Sequence, residues 1–263
     1  MDKILVCGIA GRMGSCSAEA IAAADDLELC GGVDPTATQD SCQAGETSVP
    51  LFTDLEQALS SCKPDIMLDF TNPSVVEHNI RTALSAGVSC VVGTTGLSEE
   101  QLADIYTCAT GDARLFVAPN FTTGAVLMMQ FARMAAKYFP DAEVIELHHD
   151  HKKDAPSGTA IRTAKLIADA KELPTTAPGR ETELEGMEGA RGALVSGIPV
   201  HSVRTDGYVA HQEVIFGSPG QTLTIRHDSI DRASYMPGVL LALRKVRGTD
   251  GLVVGLENLM GLD

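Results

Sequence analysis

The strongest constraint sits at the start of the chain. "KILVCGI" (3–9) is a short run of mostly branched apolar side chains, which reads as a buried strand. It runs into "GIAGRMG" (8–14), with glycines at Gly8, Gly11 and Gly14, and then into "SCSAEAIAAA", a helical stretch of small residues suited to close packing on a sheet. Strand, tight glycine turn and helix in this order are the setting of a dinucleotide-binding loop. Glycine permits the turn and a close approach to the backbone, and the helix start offers free amides to a pyrophosphate. Because Ala10 separates Ile9 from Gly11, the spacing is GxxGxxG rather than GxGxxG, and an ordinary glycine-rich turn is the competing reading.

"LELCGGV" (27–33) reads as the second strand, and Asp34 follows it. A carboxylate there can accept hydrogen bonds from ribose hydroxyls and repels a 2′-phosphate. No Arg or Lys lies between Arg12 and Lys63, which favours NADH over NADPH, although Arg12 itself can reach adenine or phosphate. A turn residue before Pro35 is the competing reading of Asp34.

Strand and helix patterns keep alternating: "DIMLDF", "SVVEHNIRTALSAG", "VSCVVGTTG", "SEEQLADIYTCAT" and "RLFVAPNF". Ser98 and Gln101 are spaced as a capping box. Such a series predicts an α/β fold, a Rossmann-like parallel sheet with helices on both faces. Ligands bind past the C-terminal ends of such strands, where "FTNPS" (70–74), "GTTG" (93–96) and "APNF" (118–121) stand. Their Thr, Asn and backbone groups, with Gly93, Thr94, Thr95, Pro119, Asn120 and Phe121 among them, are candidates for the nicotinamide side of a cofactor site. Each turn alone has an ordinary structural explanation.

The second half has a different texture. A long helix pattern, "TTGAVLMMQFARMAAKYF", precedes "EVIELHH", which alternates apolar and polar residues. "ALVSGIPVHSVR", "GYVAHQEVIFG" and "QTLTIRHDS" follow as strands, with no equally clear helices between them, so a second α+β domain with a mixed or antiparallel sheet is expected. The polar segment 174–192 reads as a mobile or lid-like loop. "YMPGVLLALRKVRG" is a final helix.

The chain carries 35 acidic against 20 basic residues, a balance that argues against nucleic-acid partners. No apolar run is long enough to span a membrane, which argues against a membrane partner. All seven cysteines fall within the first 108 residues without a CxxC pair, so free thiols and a cytoplasmic location are expected.

In this acidic chain "HHDHKKDAPSGTA" (148–160) stands out. It admits a metal site, a surface loop, or an anion site with a proton donor. HExxH is absent, and His148 and His149 point to opposite faces if the strand continues through them, so no metal is expected. The third reading rests on the helix that starts at "PSGTA". Ser157 is a suitable N-cap, and Gly158 and Thr159 then present free N–H groups to a carboxylate or phosphate. Lys152 adds a positive charge, and an upstream histidine can donate a proton near neutral pH.

These motifs carry a resemblance. "GIAGRMG", "DFTNP", "GTTG", "APNF", "ELHHDHKKDAPSGTA" and "SIDRASYMPGV" together resemble the 4-hydroxy-tetrahydrodipicolinate (dihydrodipicolinate) reductase family across essentially the whole chain. The resemblance implies NADH- or NADPH-dependent reduction of a small cyclic dicarboxylate with loss of water, in lysine and diaminopimelate biosynthesis. It implies His148 as general acid and Lys152 as catalytic lysine, with His149, Gly158 and Thr159 on the substrate carboxylates. Gly8, Arg12, Met13 and Gly14 match the cofactor loop; Gly93, Thr95 and Pro119–Phe121 match the nicotinamide side. Arg232 matches an arginine to which sequence assigns no role. The implied organisation is a dinucleotide-binding domain (1–121 plus 236–263), closed by the C-terminal tail, and a substrate-binding domain (122–235) that builds a homotetramer through its sheet. Many relatives carry a basic residue where this chain has Pro35, so NADH is expected to serve at least as well as NADPH.

Overall fold

The computed structural model describes residues 1–172, 187 and 189–262. They form two compact units, Met1–Thr122 with Tyr235–Asp263, and Thr123–Ser234. Most of the segment 174–192 expected to be lid-like lies outside the described residues.

The first unit begins with β1 (Asp2–Cys7), α1 (Arg12–Ala22), β2 (Leu27–Val33), β3 (Ser41–Ala44), β4 (Thr47–Phe52), α2 (Leu55–Cys62) and β5 (Ile66–Asp69). It continues through α3 (Val76–Ser85), β6 (Ser89–Val92), α4 (Glu99–Tyr106) and β7 (Leu115–Val117). The second unit holds α5 (Thr123–Ala135), β8 (Asp141–His148), α6 (Gly158–Ala170), β9 (Ala193–Val195), β10 (Ile198–Arg204), β11 (Ala210–Ser218) and β12 (Gln221–Ser229). The chain then returns to the first unit as α7 (Met236–Lys245), β13 (Leu252–Val254) and α8 (Glu257–Met260).

Sheet order in the first unit is β13-β7-β6-β5-β1-β2-β4-β3, parallel throughout except for the β3–β4 hairpin. Strands buried on both faces read as continuous apolar runs, and β5 and β6 are buried at every position. Leu5, Met67, Ile80, Leu84, Cys90, Ile105 and Leu115 form the core between sheet and helices. β2 lies on one side of β1 and β5 on the other, so strand order reverses at β1, the position where such sheets bind ligands. The β3–β4 hairpin and α2 have no counterpart in the sequence reading. Only Ala44 is buried in β3 and only Val49 in β4, so the hairpin leaves almost no apolar pattern to read. The expected capping box of α4 is present, with Ser98 Oγ accepting from Gln101 N and Gln101 Oε1 accepting from Ser98 N.

The second unit carries a five-stranded mixed sheet, β12-β11-β8-β10-β9, in which only β8 and β10 run parallel. Helices α5 and α6 pack on one face through Ala132, Ala136, Val144, Ala160, Ala164, Val200, Val214 and Phe216. Among the described residues, no helix is long and apolar enough to cross a membrane.

Candidate active site

In the first unit the glycine turn is built by close backbone approach. Gly8 has φ +76°, and a Cβ on Gly14 would stand 2.0 Å from Gly8 O, so the start of α1 lies directly against the end of β1. Gly11 is the N-cap of α1; no side chain caps the helix and no acidic residue occupies its first turn. The amides that open α1 at Arg12, Met13 and Gly14 are therefore available to an anion, and the turn fits the pyrophosphate of a dinucleotide. Arg12 is exposed and Met13 half-buried beside it. Asp34 follows β2 directly; its Oδ1 accepts from Thr36 N (3.0 Å) and Thr36 Oγ1 (2.7 Å), which fixes the carboxylate in the turn.

The turns after β5, β6 and β7 are held from beneath. Asp69 is fully buried and accepts from Thr71 N (3.1 Å), Thr71 Oγ1 (2.7 Å), Thr94 Oγ1 (2.6 Å) and Asn79 Nδ2 (2.8 Å). The Thr94 hydroxyl thus points into the fold, whereas Thr95 is exposed. Gly93 gives its Cβ space to the Phe70 ring. Phe121 is buried, edge-on to Phe70 (5.7 Å) and Phe116 (6.1 Å), while Pro119 is exposed and Asn120 Oδ1 accepts from Thr122 N. Asp69 itself, inside the "DFTNP" motif, was not singled out as a site residue by the sequence.

The second unit brings His148, Lys152, Gly158 and Thr159 onto one strand–loop–helix segment. His148 ends β8 and is half-buried; His149 and His151 are exposed, their rings 6.3 Å apart. Lys152 Nζ donates to Asp154 Oδ1 at 2.7 Å, and this ammonium holds the Asp154 carboxyl below its usual range. Ser157 caps α6 as expected, accepting from Ala160 N at 3.2 Å. The N–H groups of Gly158 and Thr159 therefore remain for a ligand. Among the described residues, a Cβ on Gly158 would meet no atom within 4 Å, so they leave open space there.

Two charged residues that the sequence did not single out complete this cluster. Glu146 is fully buried; its Oε2 meets His148 Nδ1, and Arg204 donates to both oxygens at 2.8 and 2.6 Å. Ser157 N donates to Oε1 at 3.2 Å. Burial pushes the Glu146 carboxyl up, but hydrogen bonds from His148, Arg204 and Ser202 outweigh it and hold the group at about 2. The signal lay in "EVIELHH". Ala142, Val144 and Glu146 occupy the buried face, so the acid takes a register position that the pattern otherwise gives to apolar residues. Burial alternates as expected through Glu146; it is polarity that departs, since Val144 and Ile145 are adjacent apolar residues and the acid takes the buried position.

Comparison with known proteins settles the family. Residues 2–121 match the family model "Dihydrodipicolinate reductase, N-terminus" and residues 124–260 its C-terminus counterpart. The chain belongs to the dihydrodipicolinate reductase family. It is 49% identical to the 4-hydroxy-tetrahydrodipicolinate reductase of Mycolicibacterium vanbaalenii over 99% of both chains. It is also 49% identical to the enzyme of that name from Enterococcus faecalis, over 99% of this chain and 100% of the relative. A solved structure, dipicolinate-bound dihydrodipicolinate reductase from Paenisporosarcina sp. TG-14, is 42% identical with a TM-score of 0.88, covering 98% of this chain and 99% of that one.

Proposed function

We propose that this chain reduces 4-hydroxy-tetrahydrodipicolinate to tetrahydrodipicolinate with a nicotinamide dinucleotide, in lysine and diaminopimelate biosynthesis. The observation that carries the reading is the single segment 148–159, which unites a half-buried histidine, a lysine and two uncapped helix amides. The bound dinucleotide supplies a hydride. The chain's own residues hold the dicarboxylate and move the proton, so that one hydride and one proton enter while one water leaves.

Gly158 and Thr159 N–H hold one carboxylate, and Lys152 exchanges Asp154 for it. His149, exposed beside them, contacts the substrate. The imidazole of His148 delivers the proton. In the first unit Gly8, Gly11, Arg12, Met13 and Gly14 hold the dinucleotide phosphates and Asp34 the ribose. Gly93, Thr94, Thr95, Pro119, Asn120 and Phe121 form the nicotinamide side through backbone and exposed groups. Asp34 next to Pro35 favours NADH at least equally; a kcat/KM ratio above about tenfold for NADPH refutes that preference. The enzyme acts in the cytoplasm, in keeping with seven free cysteines, as a homotetramer joined through the five-stranded sheet. Sedimentation at four times the 27.7 kDa subunit checks the assembly.

The deciding assay follows dinucleotide oxidation with freshly generated substrate. His148→Gln is expected to lower kcat by about 10²-fold or more while still binding NADH. Unchanged turnover removes His148 from the acid role.

A further inference from the structure

We infer that Glu146 and Arg204 form a positioning hub that fixes the tautomer of His148 and ties the proton donor to the start of α6. The inference rests on the reading of His148 given above and goes beyond it, because neither partner touches the substrate in that reading.

The geometry is that of one carboxylate with both oxygens doubly engaged. Oε1 accepts from Ser157 N (3.2 Å) and Arg204 Nη2 (2.6 Å); Oε2 accepts from Arg204 Nη1 (2.8 Å) and meets His148 Nδ1. A carboxyl held at about 2 is ionised at neutral pH and can only accept. The shared proton therefore sits on Nδ1, and Nε2 is the nitrogen left to face a reacting atom: the imidazolium gives up its Nε2 proton and returns to the neutral Nδ1–H ring. Arg204 supplies the compensating charge. The Glu146–Arg204 pair is neutral by itself, so His148 can lose a proton without leaving an uncompensated buried ion.

The same hub fixes the distance between chemistry and binding. Ser157 is the N-cap whose neighbours present the free amides, and its own N–H is held by Glu146. Arg204 Nη2 also donates to Asp154 O at 2.8 Å, and the Asp154 side chain holds Lys152. The loop between β8 and α6 is thus tied at its beginning, middle and end to one ion pair. A bound substrate meets proton donor, lysine and helix amides as one assembly, which is the preorganisation catalysis requires.

Three measurements on the full chain test this. In the wild type, imidazole ¹⁵N shifts assigned by their loss in His148→Gln are expected to show Nδ1–H with a free Nε2 in the neutral ring. Glu146→Gln turns an amide donor toward Nδ1; it is expected to drive the neutral ring to the Nε2–H form and lower kcat about a hundredfold, with KM changed less than about threefold. The double variant Glu146→Gln/His148→Gln is expected to be no slower than His148→Gln alone, because the hub acts through the imidazole. If Glu146→Gln folds poorly, Glu146→Asp, which keeps a charge beside Arg204 but shortens its reach, carries the same comparison. A wild-type ring in the Nε2–H form overturns the tautomer lock, and an equal loss with and without His148 overturns action through it. If His148→Gln retains full turnover, the acid assignment fails and the nitrogen shifts alone decide the hub.

Discussion

Among the described residues each unit buries one carboxylate completely, at or near the end of a strand, and the two are held by opposite means. Asp69, ending β5, accepts only from neutral groups: a backbone amide, two threonine hydroxyls and an asparagine amide. Glu146, two residues before the end of β8, is held by a guanidinium and an imidazole. A buried carboxylate needs either arrangement to offset its desolvation. Neutral donors do not change charge, so Asp69 acts as a fastener for the turns after β5 and β6. One of Glu146's partners is an imidazole, a side chain able to carry and release a proton, so in the proposed reading the same degree of burial there reaches the chemistry.

The contrast breaks most visibly when the acids are removed. Glu146→Ala leaves Arg204 without its counter-charge and is expected to cost about 3–5 kcal/mol in urea unfolding. Next comes the pH dependence of stability. The Glu146 carboxyl is lowered in the fold from 4.5 to about 2, so its contribution is complete above pH 4.5 and is lost as pH falls towards 2. The stability difference between wild type and Glu146→Gln is expected to shrink by about 3 kcal/mol across that window. Asp69→Asn preserves shape and strands only part of the donor set, for an expected loss of about 1–3 kcal/mol. Because the donors are neutral, kcat should follow only as far as the turns loosen. An Asp69→Asn loss as large as that of Glu146→Ala would erase the distinction.

The two regions also differ in how legible they are from sequence. The glycine turn, the parallel strands and the Ser98 and Ser157 caps follow from local rules about φ angles, apolar runs and hydrogen bonding near a helix start, and they appear where those rules put them. The segment 148–160 was legible for the same reason, since cap, glycine and lysine are neighbours in the chain. Arg204 was not, because it stands 58 residues from Glu146 and reaches it only through the parallel pairing of β10 with β8. Asp69, ending β5, and Thr94, in the turn after the adjacent β6, lie 25 residues apart, and their contact was hidden in the same way. Pairing register makes these contacts, and local sequence does not encode register. The β3–β4 hairpin was missed for a different reason, its lack of buried residues.

The smallest expected effect separates the two helix starts. Gly14 at α1 is required by the fold, since a Cβ there would overlap Gly8 O at 2.0 Å. A Cβ on Gly158 at α6 would meet nothing within 4 Å among the described residues, so none of their atoms accounts for its being glycine. Alanine is the better helix former by about 0.5–1 kcal/mol, so Gly158→Ala should leave stability unchanged or raise it by that amount. A substrate carboxylate approaching those amides would, however, meet the new methyl group. KM is therefore expected to rise about three- to tenfold, roughly 1 kcal/mol of binding, with kcat held within about twofold. A KM that stays level while stability rises would mean that no carboxylate comes close to this backbone, and the cradle would have to be sought elsewhere on the loop.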